Sequence, residues 1–124
     1  MIVGLGELEA VLWFLKEKAG WDSLPSNSAM RACREEAIRL NEGSGDFAIE
    51  VAAMFFALSV DESRLGDASR QLPSMFVWYI MEGSAFDLSE EDLERLPDIQ
   101  DDIASGMSWD ECRAWFKERI IRVR

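Results

Sequence analysis

The segment Asp46–Val60 reads DFAIEVAAMFFALSV, and its apolar residues fall on every side of a helical wheel: Phe47, Ile49, Val51, Met54, Phe55, Phe56 and Leu58. Asp46 offers the short acceptor side chain that caps a helix N-terminus, so a helix is expected from Phe47 to about Val60. A helix without a polar face has to be surrounded by other elements. The chain has 124 residues, enough for one domain that buries about 65–70% of its unfolded surface without staples. The expectation is a single all-α domain, 1–124, of about six to seven helices packed around the central apolar helix at 46–60.

The flanking sequence supports this reading. On the N-terminal side, Gly43-Ser44-Gly45 marks a turn. Before it, Met30, Cys33, Ala37 and Leu40 form one stripe, while Arg31, Arg34, Glu35, Glu36 and Arg39 supply a polar surface. Ser26 or Ser28 is the expected cap of that helix and Asn41 its expected end. Further back, Leu5, Leu8, Leu12 and Leu15, joined by Val11 and Ala19, make an amphipathic helix that stops at Gly20 and runs into the loop Trp21–Pro25. On the C-terminal side, Asp61 or Ser63 starts a short piece carrying Leu65, Ala68 and Leu72, closed by Pro73.

Residues 74–82 have two readings. The composition of Ser74-Met75-Phe76-Val77-Trp78-Tyr79-Ile80-Met81 suits a strand, but no convincing partner strand is evident to satisfy its backbone. Pro73 at a first helical position and Gly83 just past the end favour a helix. Beyond it, Ser89-Glu90-Glu91-Asp92 is a helix start, and Pro97 opens a further helix through Ala104. Ser108-Trp109-Asp110-Glu111 is a capping box. The helix it opens is expected to carry Trp109, Cys112, Phe116, Ile120 and Val123 on one face.

Charge is distributed unevenly. The net charge is −11, from 24 acidic and 13 basic residues. Residues 83–111 hold ten acids and one base, whereas 112–124 hold one acid and five bases. Asp98, Asp101 and Asp102 are spaced to share a helix face, with Ile99 and Ile103 turned away from it. Glu90, Glu91 and Glu94 cluster apart from Leu93 and Leu96, with Asp87 and Asp92 nearby. Such a run is commonly no more than a solvated face. As a functional surface it would dock a basic partner, unless the basic C-terminal helix, 112–124, lies against it within the same molecule.

Several chemistries are excluded. The absence of histidine removes Ser-His-Asp and Cys-His catalysis and His-ligated zinc. Gly4-Leu5-Gly6 and Gly43-Ser44-Gly45 lack the spacing of a phosphate loop. The acidic segment lacks the ligand pattern of a calcium loop, so no metal or cofactor is expected. Glu50 and Glu82, each bordering an apolar run, are the best candidates for acid–base work, although pairing with Arg39, Arg64 or Arg70 is the simpler role. Cys33 and Cys112 read as reduced, partly buried hydrophobes, with one long-range disulfide as the alternative. The start, Met1-Ile2-Val3-Gly4-Leu5-Gly6-Glu7, has no basic n-region, and no apolar run reaches the ~20 residues of a membrane span. A cytoplasmic protein is expected.

The strong negative charge argues against direct contact with nucleic acid or an anionic membrane. The functional expectation is a non-enzymatic protein–protein interaction module. It would be an inhibitor or immunity-type protein whose carboxylates occupy the cationic surface of a nucleic-acid-handling partner, either a toxin nuclease or a phage-defence complex. The expected partner-binding residues are Asp87, Glu90, Glu91, Glu94, Asp98, Asp101, Asp102 and Trp115. Trp115 joins them because it lies off the Trp109/Phe116 stripe. Trp21, in a loop, is a further candidate for an exposed anchor, while Trp13, Trp78 and Trp109 sit in apolar stripes and are expected in the core. The alternative is an assembly protein, a helical homodimer or an effector chaperone, acting through apolar contacts.

Overall fold

Caps written in the sequence start most of the helices. The computed structural model describes residues 25–66 and 70–123, together with positions 10, 13, 16 and 17. Helix α1 spans Asn27–Asn41, with the Ser26 hydroxyl accepting from the Ala29 amide at 3.1 Å. It ends where Glu42 turns left-handed (φ 50°) and donates its N–H to the Ile38 carbonyl. Asn41 Nδ2 then donates to the Ser44 carbonyl, closing the glycine-containing turn. Helix α2 spans Phe47–Ser59 and is capped by Asp46, whose Oδ1 accepts from the amides of Ala48 and Ile49.

Helix α2 is the centre of the fold. Eleven of its 13 residues are buried, all but Phe47 and Ile49. It packs against α1 most extensively, and then against the helices that follow. At its alanines, neighbouring cysteine side chains reach the helix carbonyls. Cys33 Sγ sits 3.7 Å from the Ala57 carbonyl and Cys112 Sγ 4.0 Å from that of Ala52. Phe55 meets Phe116 and Phe56 meets Trp109, with ring centroids 5.2 and 5.8 Å apart in the tilted and edge-on geometries that aromatic pairs favour.

A short helix, α3, spans Glu62–Leu65. Residues 74–82 belong to helix α4, Leu72–Glu82, with Pro73 in its first turn. Leu72, Phe76 and Ile80 form one buried row and Pro73, Val77 and Met81 the next, a helical period that settles the strand-or-helix question. After it come α5 (Glu90–Glu94), α6 (Leu96–Ala104) and α7 (Trp109–Arg119). Ser108 caps α7 as expected: its hydroxyl accepts from the Glu111 amide, and the Glu111 carboxylate accepts from that hydroxyl, a variant of the expected capping box in which the carboxylate meets the Ser108 hydroxyl. The molecule is thus a mostly helical, compact single domain.

Three expectations need correction. The last helix stops at Arg119, and Ile120 is already extended (φ −76°, ψ 120°). Strand β2, Ile121–Arg122, pairs antiparallel with β1, Phe86–Asp87, in the register Phe86↔Arg122 and Asp87↔Ile121. The Val123 amide continues the ladder to the Ala85 carbonyl. Ile120 is buried at the end of the helix, but Val123 is exposed on the ribbon rather than on a helical face. Trp78 is 43% exposed instead of core, because it lies on the side of α4 opposite the Leu72/Phe76/Ile80 row. Trp13 is likewise 58% exposed instead of core. The rest of the expected first helix, Trp21 and Ala68 lie outside the described residues.

Candidate partner-binding surface

Helices α5 and α6 carry the acidic segment and orient it. The Ser89 hydroxyl caps α5 by accepting from the Asp92 amide, and Pro97 in the first turn of α6 starts the second helix almost without a break. Leu96, Ile99, Gln100 and Ile103 are buried, which turns Asp98, Asp101 and Asp102 to solvent. Glu90, Glu91 and Glu94 are exposed on α5. Asp87, exposed on β1, accepts from the amide of Leu88 at 2.9 Å.

The basic C-terminal segment covers one end of this surface. Arg119 Nε lies 3.7 Å from Asp92 Oδ1, and β2 is paired to β1 beside Asp87. Lys117 is used elsewhere, donating to Asp46 Oδ2 at the start of α2. That contact, foremost, holds the Asp46 carboxyl below its ordinary pKa, against the opposing effect of burial. Asp101 pairs with Arg70 at 2.7 Å. Among the described residues, Glu90, Glu91, Glu94, Asp98 and Asp102 make no ion pair.

Trp115 is not an exposed anchor. Its ring keeps only 7% of its surface, packed edge-on to Phe116 (centroids 5.0 Å) and covered by the Arg119 guanidinium, 4.7 Å from the ring centroid. The same guanidinium donates to the Trp115 carbonyl at 3.1 Å. Off-stripe position on α7 did not mean solvent, because Arg119, one turn later, folds back over the ring.

The exposed aromatic surface lies elsewhere. Along the outer side of α4 runs a groove of about 400 Å³, lined by Gln71, Ser74, Met75, Trp78, Tyr79 and Glu82, with Arg70 and Pro97 on its borders. Tyr79 is 46% exposed. Because Pro97 opens α6 and Arg70 holds Asp101, the groove adjoins the acidic helix. The apolar composition of 74–82 led to the expectation of Trp78 in the core. The missed signal is positional: Met75, Trp78 and Glu82 follow one helical side, while Phe76, Val77 and Ile80 follow the other.

The acid–base candidates do not come together. Glu50 is buried in the first turn of α2, whereas Glu82 is exposed in the groove, which Glu50 does not line. Arg39 lies 3.9 Å from Glu36. Cys33 and Cys112 are both buried and are not joined in a disulfide, and burial pushes the Cys112 thiol up to about 12. Among the described residues no cluster of acids and cysteines is placed to hold a metal ion, and no helix is long and apolar enough to cross a membrane. No family model matches the chain, and neither a curated protein nor a solved structure shows significant similarity to it.

Proposed function

We propose that the protein is a non-enzymatic interaction module that binds a basic, nucleic-acid-handling protein and neutralises it, in the manner of an inhibitor or immunity protein. The observation that carries this reading is the row of exposed carboxylates at Glu90, Glu91, Glu94, Asp98 and Asp102. Among the described residues they make no ion pair, while Arg119, Lys117 and Arg70 are each engaged with other acids. Like charges this close on a helix cost a few tenths of a kcal/mol per pair, a cost that a cationic partner surface would reverse. Such a field speeds encounter and weakens as salt rises.

The test is affinity capture from the native host's lysate, washed at low and at high salt, with the wild type and with Glu94→Lys/Asp98→Lys/Asp102→Lys. Among the described residues these three positions make no ion pair, so the fold should tolerate reversal. Three reversals add six charges and take the net charge from −11 to −5. Capture of one basic nucleic-acid-binding protein, lost with salt and lost with the variant, supports the reading. Recovery of the chain alone, or of an acidic partner held at high salt, refutes it. That second result would favour the assembly reading, for which the exposed Trp78, Tyr79, Ile121 and Val123 are the supporting observation.

A further inference from the structure

We propose that the groove along α4 receives the apolar side of a basic amphipathic helix contributed by the partner; this rests on the acidic-surface reading and gives the partner's contact a shape. The groove volume, about 400 Å³, is within the range of sites that enclose a few side chains. From Gln71 to Glu82 it follows about 16 Å of helix, roughly three turns, the length over which a helical ligand presents its i, i+4 and i+7 anchors. Met75 supplies an adaptable apolar contact, and Trp78 and Tyr79 present exposed rings.

Charge selects the occupant. The groove carries a carboxylate at one end, Glu82, and adjoins α6 at Pro97, which Asp98 follows directly. Among the described residues that line it, the base Arg70 is compensated by Asp101 at 2.7 Å. A second copy of this chain would bring a second acidic border and another net charge of −11 against the first. A neutral apolar ligand would leave the carboxylates unanswered. A helix with apolar residues on one side and lysines or arginines flanking them satisfies both surfaces, and its cations can also lie over the faces of Trp78 and Tyr79.

Three fluorescein-labelled peptides, each about four turns long, provide the test: an amphipathic Leu/Lys/Arg helix, a scramble of the same composition without an apolar side, and the amphipathic pattern with its cations replaced by glutamine. Each is titrated with the full chain by fluorescence anisotropy at about 50 mM and about 300 mM salt. The amphipathic cationic peptide should bind about tenfold tighter than either control, a difference of about 1.4 kcal/mol. Trp78→Ala/Tyr79→Ala should remove that advantage. Met75→Ala, a milder change in the same groove, should reduce it, and Arg70→Gln should increase affinity by releasing Asp101. Thermal melts of each variant establish that the fold is intact. Equal, salt-sensitive binding of the scramble overturns the groove while leaving the acidic-surface reading standing. Equal, salt-insensitive binding of the uncharged peptide overturns both. Failure of all three peptides to bind overturns the groove.

Discussion

Asp46 links the central helix to the C-terminal one, and replacing it tests how the core is held. One carboxylate oxygen accepts from the Ala48 amide at 2.9 Å and, more weakly, from that of Ile49 at 3.4 Å; the other pairs with Lys117 of α7. Removing an N-cap of this kind costs about 0.5–2 kcal/mol. Lys117 is more than half exposed, so its ion pair contributes only about 0–1 kcal/mol. Asp46→Ala should therefore destabilise by about 1.5–2.5 kcal/mol, whereas Asp46→Asn, which retains the cap acceptor, and Lys117→Met should each cost about 0.5 kcal/mol. Urea denaturation followed by far-ultraviolet circular dichroism at neutral pH measures all three.

The pH dependence has a determined sign. The Lys117 hydrogen bond, foremost, lowers the folded-state pKa of Asp46, backbone amides add to the effect, and burial partly offsets it. The unfolded chain, with its carboxyl near about 3.9, then takes up the proton first on acidification. The contribution of Asp46 is present above that value and is lost as the pH falls through the lower folded value. The stability gap between wild type and Asp46→Asn should accordingly narrow from about pH 6 to about pH 3. Equal costs for the alanine and asparagine variants would refute the capping argument, and a gap that widens in acid would refute the linkage.

Two further outcomes follow from α7. Arg119→Ala should cost about 1–2 kcal/mol in urea denaturation, because it removes a stacked guanidinium, a hydrogen bond to the Trp115 carbonyl and the approach to Asp92. Arg119→Lys should recover less than half of that loss, since an ammonium lacks the planar face, and wild-type stability in the lysine variant would contradict the stacking geometry. Cys33 and Cys112, both buried and with the Cys112 thiol pushed up to about 12, should resist a disulfide-exchange reagent in the native protein and both react in denaturant. Rapid reaction of either thiol without denaturant would show that the core opens far more readily than its packing implies.

The helices were legible because their signals are local. Ser26, Asp46, Ser89 and Ser108 cap the helices they were expected to cap, since a cap requires only a side-chain oxygen and an amide two or three residues away. The central place of α2 followed from the absence of a polar face. The outward turn of Asp98, Asp101 and Asp102 followed from their phase against Ile99 and Ile103.

What depended on partners distant in sequence was not legible. The ribbon of β1 and β2 joins residues more than thirty positions apart, and two residues per strand leave no period to read. Trp115 is covered by an arginine that also reaches Asp92 on another helix. Arg70 meets Asp101 only because α4 and α6 pack together. Local hydrogen bonding and hydrophobic phase are properties of a few consecutive residues and so are written in the chain. Which carboxylates stay outside ion pairs among the described residues, and which aromatic side stays open, depends on what the remaining helices have already covered.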